Sequence, residues 1–129
     1  MLRKAALVFG VIFLIIGVGG FIPFLTTTDA DGMKLLLGLF MVSGVHNIIH
    51  LASGAVGLLA AGSETGARRY FQIFGAVYAL VTVIGFVQGH TVLGIIDVNL
   101  ADNLLHLAIA IVSLVLGFGS SAQQVVSNA

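Results

Sequence analysis

Cysteine is absent from this chain. Disulfides, thiolate metal sites, iron–sulfur clusters and cysteine nucleophiles are therefore excluded. Tryptophan is absent too, which leaves Phe and Tyr to form any aromatic belt at a membrane surface. Charge is scarce: 8% of residues are Asp, Glu, Lys or Arg, and the formal net charge is zero. Nucleic-acid binding needs a basic face to neutralise phosphates, and this chain offers none. Catalytic patterns such as H-E-x-x-H, G-x-S-x-G or a phosphate loop are missing as well. Gly17-Val18-Gly19-Gly20 sits inside an apolar run and reads as packing glycine rather than a nucleotide cradle. The balance leans away from an enzyme.

What remains is overwhelmingly apolar. Of 129 residues, 59% are hydrophobic, against about 45–50% in ordinary soluble domains. A chain this small has too little interior to hide that surface from water, so its solvent is the lipid bilayer. Continuous apolar runs, without strand-like alternation, exclude a membrane β-barrel. Residues 1–129 read as one transmembrane domain.

The apolar tracts place four spans. Arg3-Lys4 precede a run from Ala5 to Leu25, longer than the 7–15 residues of a cleavable signal core, and it reads as a retained first span. Thr26 to Gly32 is a polar loop rich in turn formers. Met33 to Ala61 is a second apolar tract, roughly 40 Å long if helical throughout, more than the hydrocarbon core of roughly 30 Å. Either that helix tilts, or residues 35–43 lie near the outer surface and Gly44 marks a bend. Gly62 to Arg69 is a hydrophilic connector, Tyr70 to Val87 a third span, and 90–101 a mixed outer segment with His90 exposed. Asn103 to Gly119 is the fourth span, and 120–129 a polar tail. Arg3, Lys4, Arg68 and Arg69 fall on one side and Lys34 alone on the other. The positive-inside rule then puts both termini in the cytoplasm.

An internal repeat turns these spans into an architecture. Residues 34–61 match 90–117 without a gap: Gly38 on Gly94, Ser43 on Asn99, His46 on Asp102, Asn47 on Asn103 and His50 on His106. The first and third spans match at a wider separation, with Gly10 on Gly75, Phe13 on Tyr78 and Gly20 on Gly85. The expected fold is therefore all-α: a four-transmembrane-helix bundle built from two parallel helical-hairpin repeats, about 1–62 and about 63–119.

Helical spacing puts Ser43, His46, Asn47, His50, Gly54, Gly57 and Ala61 on one face, and Asn99, Asp102, Asn103, His106, Ala110, Ser113 and Gly117 on its counterpart. In a membrane such faces point inward, bringing His50 and His106 into a common interior. Three readings of the duplicated Asn-x-x-His follow. In the first, Asn and His hydrogen-bond across helices and fix register, and the protein has a non-enzymatic structural or accessory role, as a homo-oligomer or a subunit of a larger membrane complex. In the second, His50 and His106 clamp a tetrapyrrole (haem or chlorophyll) as axial ligands, with Asn47 and Asn103 orienting the imidazoles. In the third, His46 and His50, one turn apart, share Zn²⁺ or Cu²⁺ with His106 and Asp102, or His46 and Asp102 form a proton-handling couple.

The pair His46-Asn47-Ile48-Ile49-His50-Leu51 and Asp102-Asn103-Leu104-Leu105-His106-Leu107, with Gly38, Gly54, Gly94 and Asn99 around them, resembles a family of small bacterial four-span membrane proteins catalogued as a domain of unknown function. The resemblance implies four helices in a bacterial cytoplasmic membrane and brings no activity with it. Asp97 and Ala110 depart from the pattern.

Overall fold

The computed structural model describes residues 1–119; the polar tail expected at 120–129 lies outside them. Helix α1 (Leu2–Gly19) opens the chain. It leads through a short 3₁₀ turn, Pro23–Leu25, into strand β1 (Thr26–Thr28). Strands β2 (Lys34–Leu36) and β3 (Phe40–Val42) form a hairpin, and helix α2 (Gly44–Ala60) follows. Helix α3 (Glu64–Gln88) crosses back to a second hairpin, β4 (Thr91–Val92) and β5 (Ile96–Asp97), which precedes α4 (Leu100–Leu114). A π-helical segment, Val115–Gly119, continues α4.

The protein is mostly helical and membrane-spanning. Three helices, Leu2–Gly19, Glu64–Gln88 and Leu100–Gly119, are long and apolar enough to cross a bilayer, and α2 is a shorter apolar helix. α1 packs mainly on α2, and α3 on α4, as duplicated hairpins require.

The expectation of an all-α chain needs correction. Residues 34–42 are a β-hairpin rather than part of a tilted helix, and α2 begins at Gly44, where the alternative reading put a bend. The reason is local. Leu37 and Gly38 both hold positive φ, at 53° and 70°, and the Leu39 amide donates to the Leu36 carbonyl. This is a type I′ turn, which matches strand twist and reverses the chain. Its counterpart falls 56 residues on, with Leu93 at 55°, Gly94 at 68°, and the Ile95 amide donating to the Val92 carbonyl. Glycine suits the second position of each turn because it lacks a Cβ; leucine at the first is an unusual occupant. The supposed loop at 26–32 is also partly strand. β1 pairs antiparallel with β2, from Thr26 opposite Leu36 to Thr28 opposite Lys34.

Helix ends follow their caps. Ser43 accepts a hydrogen bond from the His46 amide and starts α2. Ser63 caps α3 through the Gly66 amide, so Glu64 to Arg69 is the first turn and a half of that helix and not a connector. Asn99 and Asp102 form a reciprocal capping box on α4.

Small residues set the packing inside each hairpin. A Cβ on Gly10 would stand 2.9 Å from the Gly54 carbonyl oxygen and 2.9 Å from the Leu58 nitrogen, so α1 and α2 approach backbone to backbone there. Gly75 meets both the side chain and the backbone nitrogen of Leu114 on α4. Between the hairpins, Phe13, Tyr70, Phe71, Phe74 and Tyr78 form an aromatic core. Leu7, Val11, Ile15, Leu80 and Val83 point outward, as lipid-facing positions.

Candidate metal centre

The inner faces of α2 and α4 are those the sequence spacing outlines. His46, Asn47, His50, Gly54 and Gly57 are buried on α2, and Asp102, Asn103, His106, Ala110 and Ser113 on α4. Each polar side chain on these faces has a different situation.

Asn47 and Asn103 are packing devices. A Cβ on Gly20 would collide with the Asn47 Oδ1, and one on Gly85 with the Asn103 Oδ1. Each amide thus sits directly on the backbone of the preceding helix of its own hairpin. Neither Oδ1 has a conventional hydrogen-bond partner; both face glycine Cα–H groups, a weak contact whose repetition marks it as part of the design.

The three histidines come together. Ring centroids of His46 and His50 are 4.5 Å apart, and those of His46 and His106 are 5.7 Å apart. One ring nitrogen from each lies within 4.8 Å of the other two. All three residues are almost wholly buried, at 2%, 6% and 3% exposure. The Nδ1 atom of each is buried without a hydrogen-bond partner. His46 and His50 share a face because they are one turn apart, and His106 enters from α4.

Aromatic rings fix the imidazoles. Phe13 of α1 meets the His50 ring at 5.6 Å, and Tyr78 of α3 meets the His106 ring at 5.2 Å, both edge to face. Phe13 and Tyr78 also touch each other. Sequence reasoning matches these two residues across the repeat but assigns them no role. Their place on the glycine faces of α1 and α3, three residues after Gly10 and Gly75, is the available clue.

Asp102 stands outside the imidazole trio. Its Oδ2 accepts from the Asn99 amide at 2.9 Å and from the Met41 amide of β3 at 3.0 Å. The carboxylate therefore ties α4 to the hairpin of the other repeat. The His46 ring, on the equivalent position of α2, approaches the backbone carbonyls of Asp97 and Met41. His90 is exposed in the segment after α3.

Chemically, the trio matches an ion better than a macrocycle. Imidazole nitrogens around a tetrahedral Zn²⁺ sit about 2.0–2.1 Å from the metal, hence roughly 3.4 Å from one another. A tetrapyrrole clamped between His50 and His106 needs its plane between those rings. Here the His46 ring contacts both, and nothing in the arrangement is specific to haem or chlorophyll.

The family model described as Domain of unknown function (DUF4383) matches residues 3–119, and the chain belongs to that family. No curated protein and no solved structure matches it.

Proposed function

We propose that this member of the DUF4383 family is a membrane-embedded metal-binding protein. Its centre is the trio His46, His50 and His106, holding one divalent transition ion, Zn²⁺ or Cu²⁺. Imidazole suits both metals, and three histidines leave a fourth position open. α2 is the fourth span, completing a bundle of four, with both termini and the Arg68–Arg69 end of α3 cytoplasmic under the positive-inside rule.

The observation that carries this reading is three buried histidines, each with an unpartnered Nδ1, that bring one ring nitrogen apiece within 4.8 Å of the others. A histidine kept to fix helix register is held by hydrogen bonds at its nitrogens. Leaving a buried polar atom unpaired costs about 1–3 kcal/mol, and three together call for a shared partner. Asn47 and Asn103, by contrast, fit the structural role fully, because their contacts are with the glycines of their own hairpins.

The test is equilibrium dialysis of the full chain in nanodiscs against Zn²⁺, followed by metal analysis and a visible spectrum. The expected result is one ion per chain, lost in His50→Ala and in His106→Ala and kept in His90→Ala. A chain that takes up no metal, and whose histidine variants lose only thermal stability, would return the motif to a structural role. A Soret band in the purified protein would replace the ion with a tetrapyrrole.

A further inference from the structure

Beside the imidazole trio, between α2 and α3, lies an elongated cavity of about 490 Å³. Ile49, Ala52 and Val56 line it from successive turns of α2, and Ile73, Val77 and Val81 from α3. Val56, Ile73 and Val77 are also about half exposed or more (54%, 66% and 49%). The cavity is thus continuous with the lipid-facing side of the bundle. His46 and His106 form part of its lining, and the Nδ1 atoms of both are unpartnered. The Tyr70 hydroxyl on its wall already donates to the Ser53 carbonyl.

The chemistry of the lining selects the occupant. The volume falls in the range of small-molecule sites, roughly 300–1,000 Å³, where apolar walls surround a few polar groups. A hydrated solute entering here would lose its water to walls that offer nothing in exchange. A molecule already dissolved in the bilayer loses nothing. Lipid is as apolar as these walls, so the tail of such a molecule gains little by entering. Its affinity must come from the one end where the imidazoles lie, and there a three-histidine ion has an open position.

We infer that this cavity is a lateral port, through which a lipid-dissolved molecule with an apolar body and one nitrogen or oxygen donor reaches the metal. The inference rests on the metal-centre reading, and the two are separable by experiment. The full chain is loaded with Co²⁺ in nanodiscs, so that the visible bands of a tetrahedral ion report on the fourth ligand. N-dodecylimidazole added to the bilayer shifts those bands, and imidazole-4-acetate, charged and confined to water, does not. Ala52→Phe or Val77→Phe, which fill the port from partly exposed wall positions, weaken the N-dodecylimidazole response by about tenfold or more and leave the ligand-free spectrum unchanged. An equal response to imidazole-4-acetate, or an undiminished response in both port variants, overturns the port while the metal centre stands. A wild-type chain without tetrahedral Co²⁺ bands removes the metal centre and the port together.

Discussion

The two halves of this molecule agree where helices pack and differ where they reach across to each other. In both, a type I′ turn precedes a capped helix, an asparagine sits on a glycine of the preceding helix, and an aromatic ring supports a histidine. The third residue of that capped helix is where they part. In the second half it is Asp102, whose carboxylate accepts from the Met41 amide. In the first it is His46, whose ring approaches the carbonyl of Asp97, the counterpart of Met41. The crossing is the same and its polarity is reversed. A carboxylate needs a donor, whereas an imidazole N–H needs an acceptor and leaves its second nitrogen free. Divergence at one position therefore adds a third ring to a symmetric pair and makes the site lopsided.

Exchanging the diverged pair breaks this comparison most severely. His46→Asp alone removes one of three ligands and should weaken Zn²⁺ binding by at least about 100-fold, beyond the 10–100-fold typical of residues that merely support a ligand. Adding Asp102→His should restore most of the loss by supplying the third ring from the other half. Equilibrium dialysis decides it, and a double variant no better than the single one would deny the equivalence of the two positions.

Next in size is the contrast between the two helix starts. Asp102→Ala deletes the acceptor for two backbone amides and should lower stability by about 2–6 kcal/mol, given roughly 1–3 for each buried amide left without its partner. Ser43→Ala removes one neutral cap and should cost only about 1 kcal/mol. Unfolding followed by circular dichroism would place the two in that order; similar losses would mean that the carboxylate's reach to β3 adds nothing.

The smallest effect separates the glycine contacts. A methyl on Gly10 meets two backbone atoms of α2 besides the Leu58 side chain, while one on Gly75 meets one backbone nitrogen and two side-chain atoms of Leu114. Side chains yield more easily than backbone. Gly10→Ala should therefore cost about 1–3 kcal/mol, in the range of overpacked interiors, and Gly75→Ala less, by the same unfolding measurement.

Much of this was legible in the sequence because helical periodicity and duplication reinforce each other. The inner faces of α2 and α4, the pairing of Gly20 with Gly85 and of Phe13 with Tyr78, and the meeting of His50 with His106 all follow from spacing. The hairpins were not legible. Leu35, Leu36 and Leu37 are good helix formers, and nothing local in such a run shows that Leu37 takes a left-handed conformation. A bend at Gly44 and a mixed segment at 90–101 were legible, but strand pairing there was not, because the apolar tract continuing into α2 masked it. The bond from the Met41 amide to Asp102 spans 61 residues, beyond the reach of any periodicity. The extra length of the first half, nine residues by the difference between separations of 65 and 56, becomes β1, which covers the edge of β2. Among the described residues the second hairpin has no such covering strand.

One dimension of the bundle bears on its surroundings. α2 has 17 residues and α3 has 25, so they rise about 25 Å and 37 Å beside a hydrocarbon slab of roughly 30 Å. α2 is shorter than the slab, whereas the apolar part of α3, residues 70–87, rises about 27 Å and nearly matches it. Under the four-span reading, the deficit of α2 falls on the lipids, which thin around it at a cost of fractions of a kcal/mol per ångström of mismatch. Exposed Leu37 and Leu39 on the first hairpin, just beyond the start of α2, make up part of that deficit with apolar surface. Under the four-span reading, the first half of the bundle suits a thin bilayer better than a thick one.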